Sequence, residues 1–201
     1  MLISGVFHGG DLAPKSKADK AFVMHILSSL STDGTAAIVE FPGVLYRTGA
    51  EAKIREYLIK NNYVDTVIQL APNMFFGASI ATCIIVLKKN KADNRVLFID
   101  ASNEFDHEGN KNKLGDTHIE KIYNAHINKE EIAHFSTVVT TADIAAKKYN
   151  LSVSTYVEAE DTTVEIDIDE LNERINKIVA RENELRTAID AIIKELNRQN
   201  K

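Results

Sequence analysis

The sequence is poor in the residues that staple, bend or punctuate a chain. Of 201 residues one is cysteine, three are proline, nine are glycine and none is tryptophan. The single Cys83 excludes an internal disulfide and fits a reducing compartment, which points to the cytoplasm. No apolar run approaches the roughly 20 residues of a membrane-spanning helix, and no basic segment followed by an apolar one opens the chain. Neither a membrane anchor nor an export signal is therefore expected. No glycine stands two residues from another. Without Gly-x-Gly there is neither a dinucleotide fingerprint nor the glycine loop of an S-adenosylmethionine site, and the Gly-x-x-x-x-Gly-Lys phosphate loop is also missing. The six His (8, 25, 107, 118, 126, 134) lack the spacing of zinc ligands, so no metal is expected. No Gly-x-Ser-x-Gly elbow is present.

What is present is ordinary globular composition, 44% hydrophobic, with 24 Lys+Arg against 29 Asp+Glu. Residues 1–100 hold 11 cations and 9 acids, and residues 101–201 hold 13 and 20. Any contact with a polyanion belongs in the first half. Residues 1–14 read as an irregular lead segment. Helical spacing of Ala21, Phe22, Val23, Ile26, Leu27 and Leu30 predicts a helix over 19–30, with His25 half-buried on it. Strands are predicted at 35–41, 63–70, 80–87 and 95–99, and an amphipathic helix at 51–61. The 80–87 run is apolar on both alternating faces, as a strand covered on two sides must be. Alternating strands and helices argue for an α/β domain on a mostly parallel sheet. Such a sheet normally has strands ahead of the first helix, so the chain reads as the back half of a domain.

Residues 101–165 are polar and predict a wrapping arm with short helices at 117–126, near 129–135 and at 141–147. Seven acids and no cation lie between Glu158 and Glu170. A long helix then begins, with Asp167 and Glu170 spaced as a capping box. Its seam is Ile168, Leu171, Ile175, Ile178, Leu185, Ile189, Ile192 and Leu196, interrupted at Glu182. Val179 and Ile193 widen the seam toward packing in a bundle, and a fold-back onto the chain's own domain or self-association are the other outcomes. The expected divisions are 1–100, 101–165 and 166–201.

Four runs are more specific: Leu12–Phe22 (LAPKSKADKAF), Phe41–Glu51 (FPGVLYRTGAE) continuing to Lys53 and Arg55, Gln69–Cys83 (QLAPNMFFGASIATC) and Tyr149–Tyr156 (YNLSVSTY). Together, from Asp11 on and in collinear order, they resemble the modification subunit of type I restriction-modification systems, an adenine-N6 DNA methyltransferase. The resemblance implies the C-terminal half of a Rossmann-like methyltransferase sheet, followed by a polar helical arm and a long helix. It implies S-adenosylmethionine as cofactor of the intact subunit. The implied partners are DNA, the specificity subunit that the terminal helix docks on, the restriction subunit, and the missing N-terminal half. Family members carry a glycine-containing cofactor loop and an Asn/Asp-Pro-Pro-Phe/Tyr motif upstream. Prolines 14, 42 and 72 are never adjacent, so both motifs are absent. The chain alone is therefore expected to bind no cofactor, to have no catalytic residue of its own and to be silent, since loss of positioning alone forfeits orders of magnitude in rate.

The resemblance places Phe75 and Phe76 where the family has an aromatic wall beside the extruded adenine; packing alone would make them core residues at the mouth of a strand hairpin. Lys15, Lys17, Arg47, Lys53 and Arg55 are the candidate phosphate contacts, against a plainer reading as solvated charges. The 35–41 strand is expected to have an open outer edge, inviting a homodimer or a covering partner. A non-catalytic assembly module is the alternative function.

Overall fold

The computed structural model describes residues 18–160 and 168–199. The lead segment 1–14, Lys15, Lys17 and the cap position Asp167 lie outside the described residues. Contacts divide the chain into two units, residues 1–160 and 161–201.

In the first unit the order is α1 (Asp19–Ser29), β1 (Thr35–Glu40), a short 3-10 helix (Pro42–Leu45), α2 (Ala50–Lys60), β2 (Val64–Leu70), β3 (Cys83–Lys88), β4 (Arg95–Ala101), β5 (Asp106–Glu108), β6 (Lys111–Lys113), α3 (Asp116–Asn128), β7 (Ser136–Thr140) and α4 (Thr141–Ala146). A second 3-10 turn at Val153–Thr155 follows. Strands β1, β3, β2, β4 and β7 form one sheet in that spatial order, and β5 and β6 form a separate hairpin. The α/β class expected from the sequence is the one observed.

The period-2 alternation of side chains divides the core between the two faces of the sheet. Val67 of β2 and Val96 and Phe98 of β4 join Val23 and Leu27 of α1, Ile54 and Leu58 of α2 and Ile144 of α4. Their neighbours Ile68, Leu97 and Ile99 point the other way, to Ile122 and Ala125 of α3. Covered on both faces, β2 and β4 are buried almost throughout, and Val67, Val96, Leu97, Phe98 and Ile99 are fully buried.

The expected mostly parallel sheet is corrected in its pairing. β3 runs antiparallel to both β1 and β2, and β7 antiparallel to β4; only β2 and β4 pair in parallel. The reason is physical: a parallel pair needs a long crossover, and no helix separates β2 from β3. β1, β2 and β4 still share one direction. Two further expectations differ. The segment near 129–135 is a turn with an isolated bridge at Ile132, not a helix, and leads into β7, an unforeseen fifth strand. His25 is exposed on α1 rather than half-buried.

The second unit holds α5 (Ile168–Gln199). No helix among the described residues is long and apolar enough to cross a membrane.

Candidate nucleic-acid interface

Because β1, β2 and β4 share a direction, their carboxyl ends meet one edge of the sheet, where ligands of open α/β sheets bind. Register places Glu40 of β1, Cys83 of β3, Gln69 of β2 and Asp100 of β4 side by side along that edge. Three connections rise from it: residues 41–49, 71–82 and 102–115.

The 71–82 connection carries the aromatic pair. Phe75 and Ala78 form an isolated bridge, with the Ala78 N–H donating to the Phe75 carbonyl at 3.2 Å. Phe76 and Gly77 are the central residues, and Gly77 has φ +75°. A positive φ at the second central residue is the type II turn, which suits glycine there. The turn displays Phe76 in full, 101% exposed, with Phe75 at 41%. The packing alternative, in which both rings belong to the core, is thus corrected for Phe76.

The candidate cations fare unequally. Arg55 is 2% exposed. Its Nε donates to the Tyr149 carbonyl at 3.0 Å and its Nη1 to the Val44 carbonyl at 3.2 Å. It therefore staples the β1–α2 connection to the Tyr149–Tyr156 run and is withdrawn as a phosphate contact, because burial leaves no access. Arg47, on the 41–49 connection, is held between Asp19 at 3.4 Å and Glu51 at 3.5 Å, so its charge is already matched. Lys53 is exposed on α2. The Tyr149–Tyr156 run itself closes over the sheet: the Tyr156 ring stacks on Phe98 with centroids 4.2 Å apart, and its hydroxyl donates to the Asn150 carbonyl at 2.6 Å. Burial pushes that hydroxyl up to about 12.

Behind the edge lies an ionic cluster that sequence reading missed. Lys20 and Glu51 are buried, and neither Lys20 Nζ nor Glu51 Oε1 has a hydrogen-bond partner among the described residues. Burial first, and then the nearby Arg55 guanidinium, push the Lys20 ammonium down to about 8, while Glu40, Cys83 and Glu51 pull it up. Burial also lifts the Cys83 thiol to about 12, which leaves it without a thiolate at neutral pH. Only the helical phase of Lys20, in line with Val23, Met24 and Leu27 on the buried face of α1, could have hinted at its burial.

A second polar group sits at the opposite edge. Lys129 Nζ contacts Asp65 Oδ2 at 2.5 Å and donates to Thr66 Oγ1 at 3.0 Å, and Thr66 Oγ1 lies 2.8 Å from His126 Nδ1. Burial would raise the Asp65 carboxyl, but the Lys129 ammonium and the Thr66 hydroxyl outweigh it and hold it below its ordinary value. Thr66 is fully buried, so this group ties β2 to α3 and offers no accessible nucleophile.

In the connection from β1 to α2, Gly43 lies within the 3-10 helix Pro42–Leu45 and Gly49 is the N-cap of α2. The cleft beside the edge, about 370 Å³, is lined by Asp106, His107, Glu108, Lys113, Leu114, Gly115 and Asp116. Three carboxylates against one ammonium make it unfavourable for phosphate. Among the described residues no group of His, Cys, Asp and Glu is placed to hold a metal.

α5 spans 32 residues, about 48 Å at 1.5 Å per residue. Its seam residues Ile168, Leu171, Ile175, Ile178, Leu185, Ile189, Ile192 and Leu196 are all exposed, as are Val179 and Ile193. Ion pairs at helical spacing line the polar side, with Arg174 to Glu170 at 2.7 Å and Arg181 to Glu184 at 2.8 Å.

The described residues thus define an α/β sheet whose carboxyl edge carries an exposed aromatic turn. The comparisons agree in class. The chain belongs to the N-6 DNA methylase family, whose pattern it matches over residues 3–165. It is 48% identical over 188 residues to the MpnII type I restriction enzyme methylase subunit of Mycoplasma pneumoniae, covering 93% of this chain and 35% of that protein. The MjaVII methylase subunit of Methanocaldococcus jannaschii is 33% identical over 189 residues, covering 91% of this chain and 32% of that protein. Among solved structures, the type I restriction-modification methyltransferase subunit from Streptococcus thermophilus superposes with a TM-score of 0.73 at 47% identity, over 75% of this chain and 32% of that one. The chain thus spans about a third of the length of these relatives.

Proposed function

We propose that this chain supplies the C-terminal part of a type I restriction-modification methylase subunit, which transfers a methyl group from S-adenosylmethionine to adenine N6 in DNA. The observation that carries the reading is the wholly exposed Phe76 on its type II turn in a member of the N-6 DNA methylase family. An exposed ring at the carboxyl edge is a stacking platform for an unstacked base. Phe75 flanks it. Lys53 and Arg47, with Lys15 and Lys17 of the lead segment, would lie along the phosphates; for Arg47 this requires exchange of a carboxylate partner for a phosphate.

The donor's cradle and the groups that align the adenine amine must come from polypeptide outside these 201 residues, since neither Gly-x-Gly nor adjacent prolines occur in them. Alone, the chain binds no donor and transfers no methyl. The exposed seam of α5 serves assembly, in a bundle with helices of a specificity subunit, where a basic residue would meet Glu182. The restriction subunit joins the same cytoplasmic complex. That seam also supports the second reading, a non-catalytic assembly module.

The two readings part at Phe76. Stacking on one base is worth about 1–3 kcal/mol. A single-stranded oligonucleotide with a central 2-aminopurine should be quenched on titration with the chain, and Phe76→Ala should weaken its binding by that amount. Equal quenching by Phe76→Ala and wild type would leave the assembly reading in possession.

A further inference from the structure

Phe76 is fully exposed, so no neighbouring side chain fixes its ring; its direction is set by the backbone beneath it. That backbone is held from outside. Asn112 Nδ2 donates to the Pro72 carbonyl at 2.8 Å, the Asn112 N–H to the Asn73 carbonyl at 3.1 Å, and Lys111 Nζ to the Phe75 carbonyl at 3.1 Å. Two consecutive residues of β6 thus satisfy three carbonyls within four residues of the aromatic connection. Within the turn itself a single hydrogen bond, from the Ala78 N–H to the Phe75 carbonyl, closes the chain.

The hairpin that provides these donors has strands of three residues each. A two-stranded hairpin of this size is marginal in isolation. Its tight turn, with Gly109 at φ +61° in the first central position, is the II′ arrangement that matches strand twist. Asn112 is 8% exposed although polar, and burial of an amide is costly unless it is hydrogen-bonded. The aromatic connection in turn holds Asn73 at φ +58°, a left-handed conformation that asparagine tolerates. Hairpin and turn therefore stabilise one another, and the exposed ring sits at the end of that coupling.

We propose that the β5–β6 hairpin is a clamp that sets the pose of Phe76, with Asn112 as its positioning residue and Lys111 as a second tie. The proposal rests on the reading of Phe76 as a base-stacking ring and extends it to a part of the chain with no apolar residue in its strands. The clamp acts on the ring through the backbone carbonyls of residues 72–75 and touches no base.

The test uses the whole chain and two readouts. Hydrogen exchange of the Ala78 amide, which closes the turn, and of the Asn112 amide, which bonds the Asn73 carbonyl, reports the clamp without DNA. Quenching of the 2-aminopurine oligonucleotide reports the ring. Asn112→Leu removes the side-chain donor and keeps the backbone bond; Lys111→Met, at a more exposed site, removes one tie without entering the core. Loss of one hydrogen bond should accelerate exchange at these two amides about five- to tenfold, with the amides of β2 and β4 unchanged, and should weaken quenching. Should Asn112→Leu fail to fold, Lys111→Met carries the same expectation. Wild-type exchange at these two amides in the folded variants overturns the clamp, and so does accelerated exchange with quenching intact. Quenching unaffected by Phe76→Ala instead sinks the stacking role and leaves the exchange result standing by itself.

Discussion

A lysine ammonium buried without a hydrogen-bond partner is a residue-scale penalty, and Lys20 bears one beside the Arg55 staple. Folded, it titrates at about 8; unfolded, at about 10.4. Between these values the unfolded chain binds more protons, so stability from this group rises with pH across roughly 8 to 10, and the penalty is complete below about 8. Lys20→Met should therefore be more stable than wild type at pH 7 by about 1–3 kcal/mol, as apolar replacements of buried charge often are. The difference should shrink at pH 9.5. Urea unfolding at both pH values measures it, and a gap that stays constant contradicts the assignment. Beyond the helical phase of Lys20, the sequence does not mark Lys20 or Arg55 as interior: a cation beside an apolar stripe is usually solvated. Phe76 is the reverse case, since an aromatic between two apolar strands is usually core. Only the turn built on Gly77 reveals that it is not.

Strands and helices of strong period were legible in the sequence. α1, β1, α2, β2 and β4 fall within a residue or two of their expected bounds, because each has a continuous apolar face. What failed lacked such a face or depended on partners. β7 is a five-residue run after a polar stretch, and its place is decided by pairing with β4. The Asp106–Lys113 hairpin contains no apolar side chain, so no alternation announces it. The direction of β3 could have been deduced, since 12 residues without a helix join it to β2 and cannot make a parallel crossover. At this scale the open edge matters most. Among the described residues β1 pairs only with β3, and Val39 on it is 52% exposed. Unpaired edges invite pairing with another chain, and lysine blunts them. The chain should self-associate with concentration in sedimentation velocity, and Val39→Lys should shift it toward monomer. A wild-type chain that stays monomeric throughout would show that the edge is protected by other means.

For the whole molecule, the two units divide the work the proposal assigns: the sheet presents an aromatic turn, and α5 presents an apolar seam of about 48 Å for assembly. The family follows from the sequence as a whole. The site was legible only in part, since the aromatic pair stands out by resemblance while its clamp and the burial of Arg55 depend on contacts between distant segments. On the reading proposed, these 201 residues carry the stacking platform without the donor's cradle. The most direct test of that reading is transfer of tritiated methyl from S-adenosylmethionine to duplex DNA by the purified chain alone. Incorporation at the level of a protein-free blank is predicted; incorporation that rises with chain concentration would contradict it.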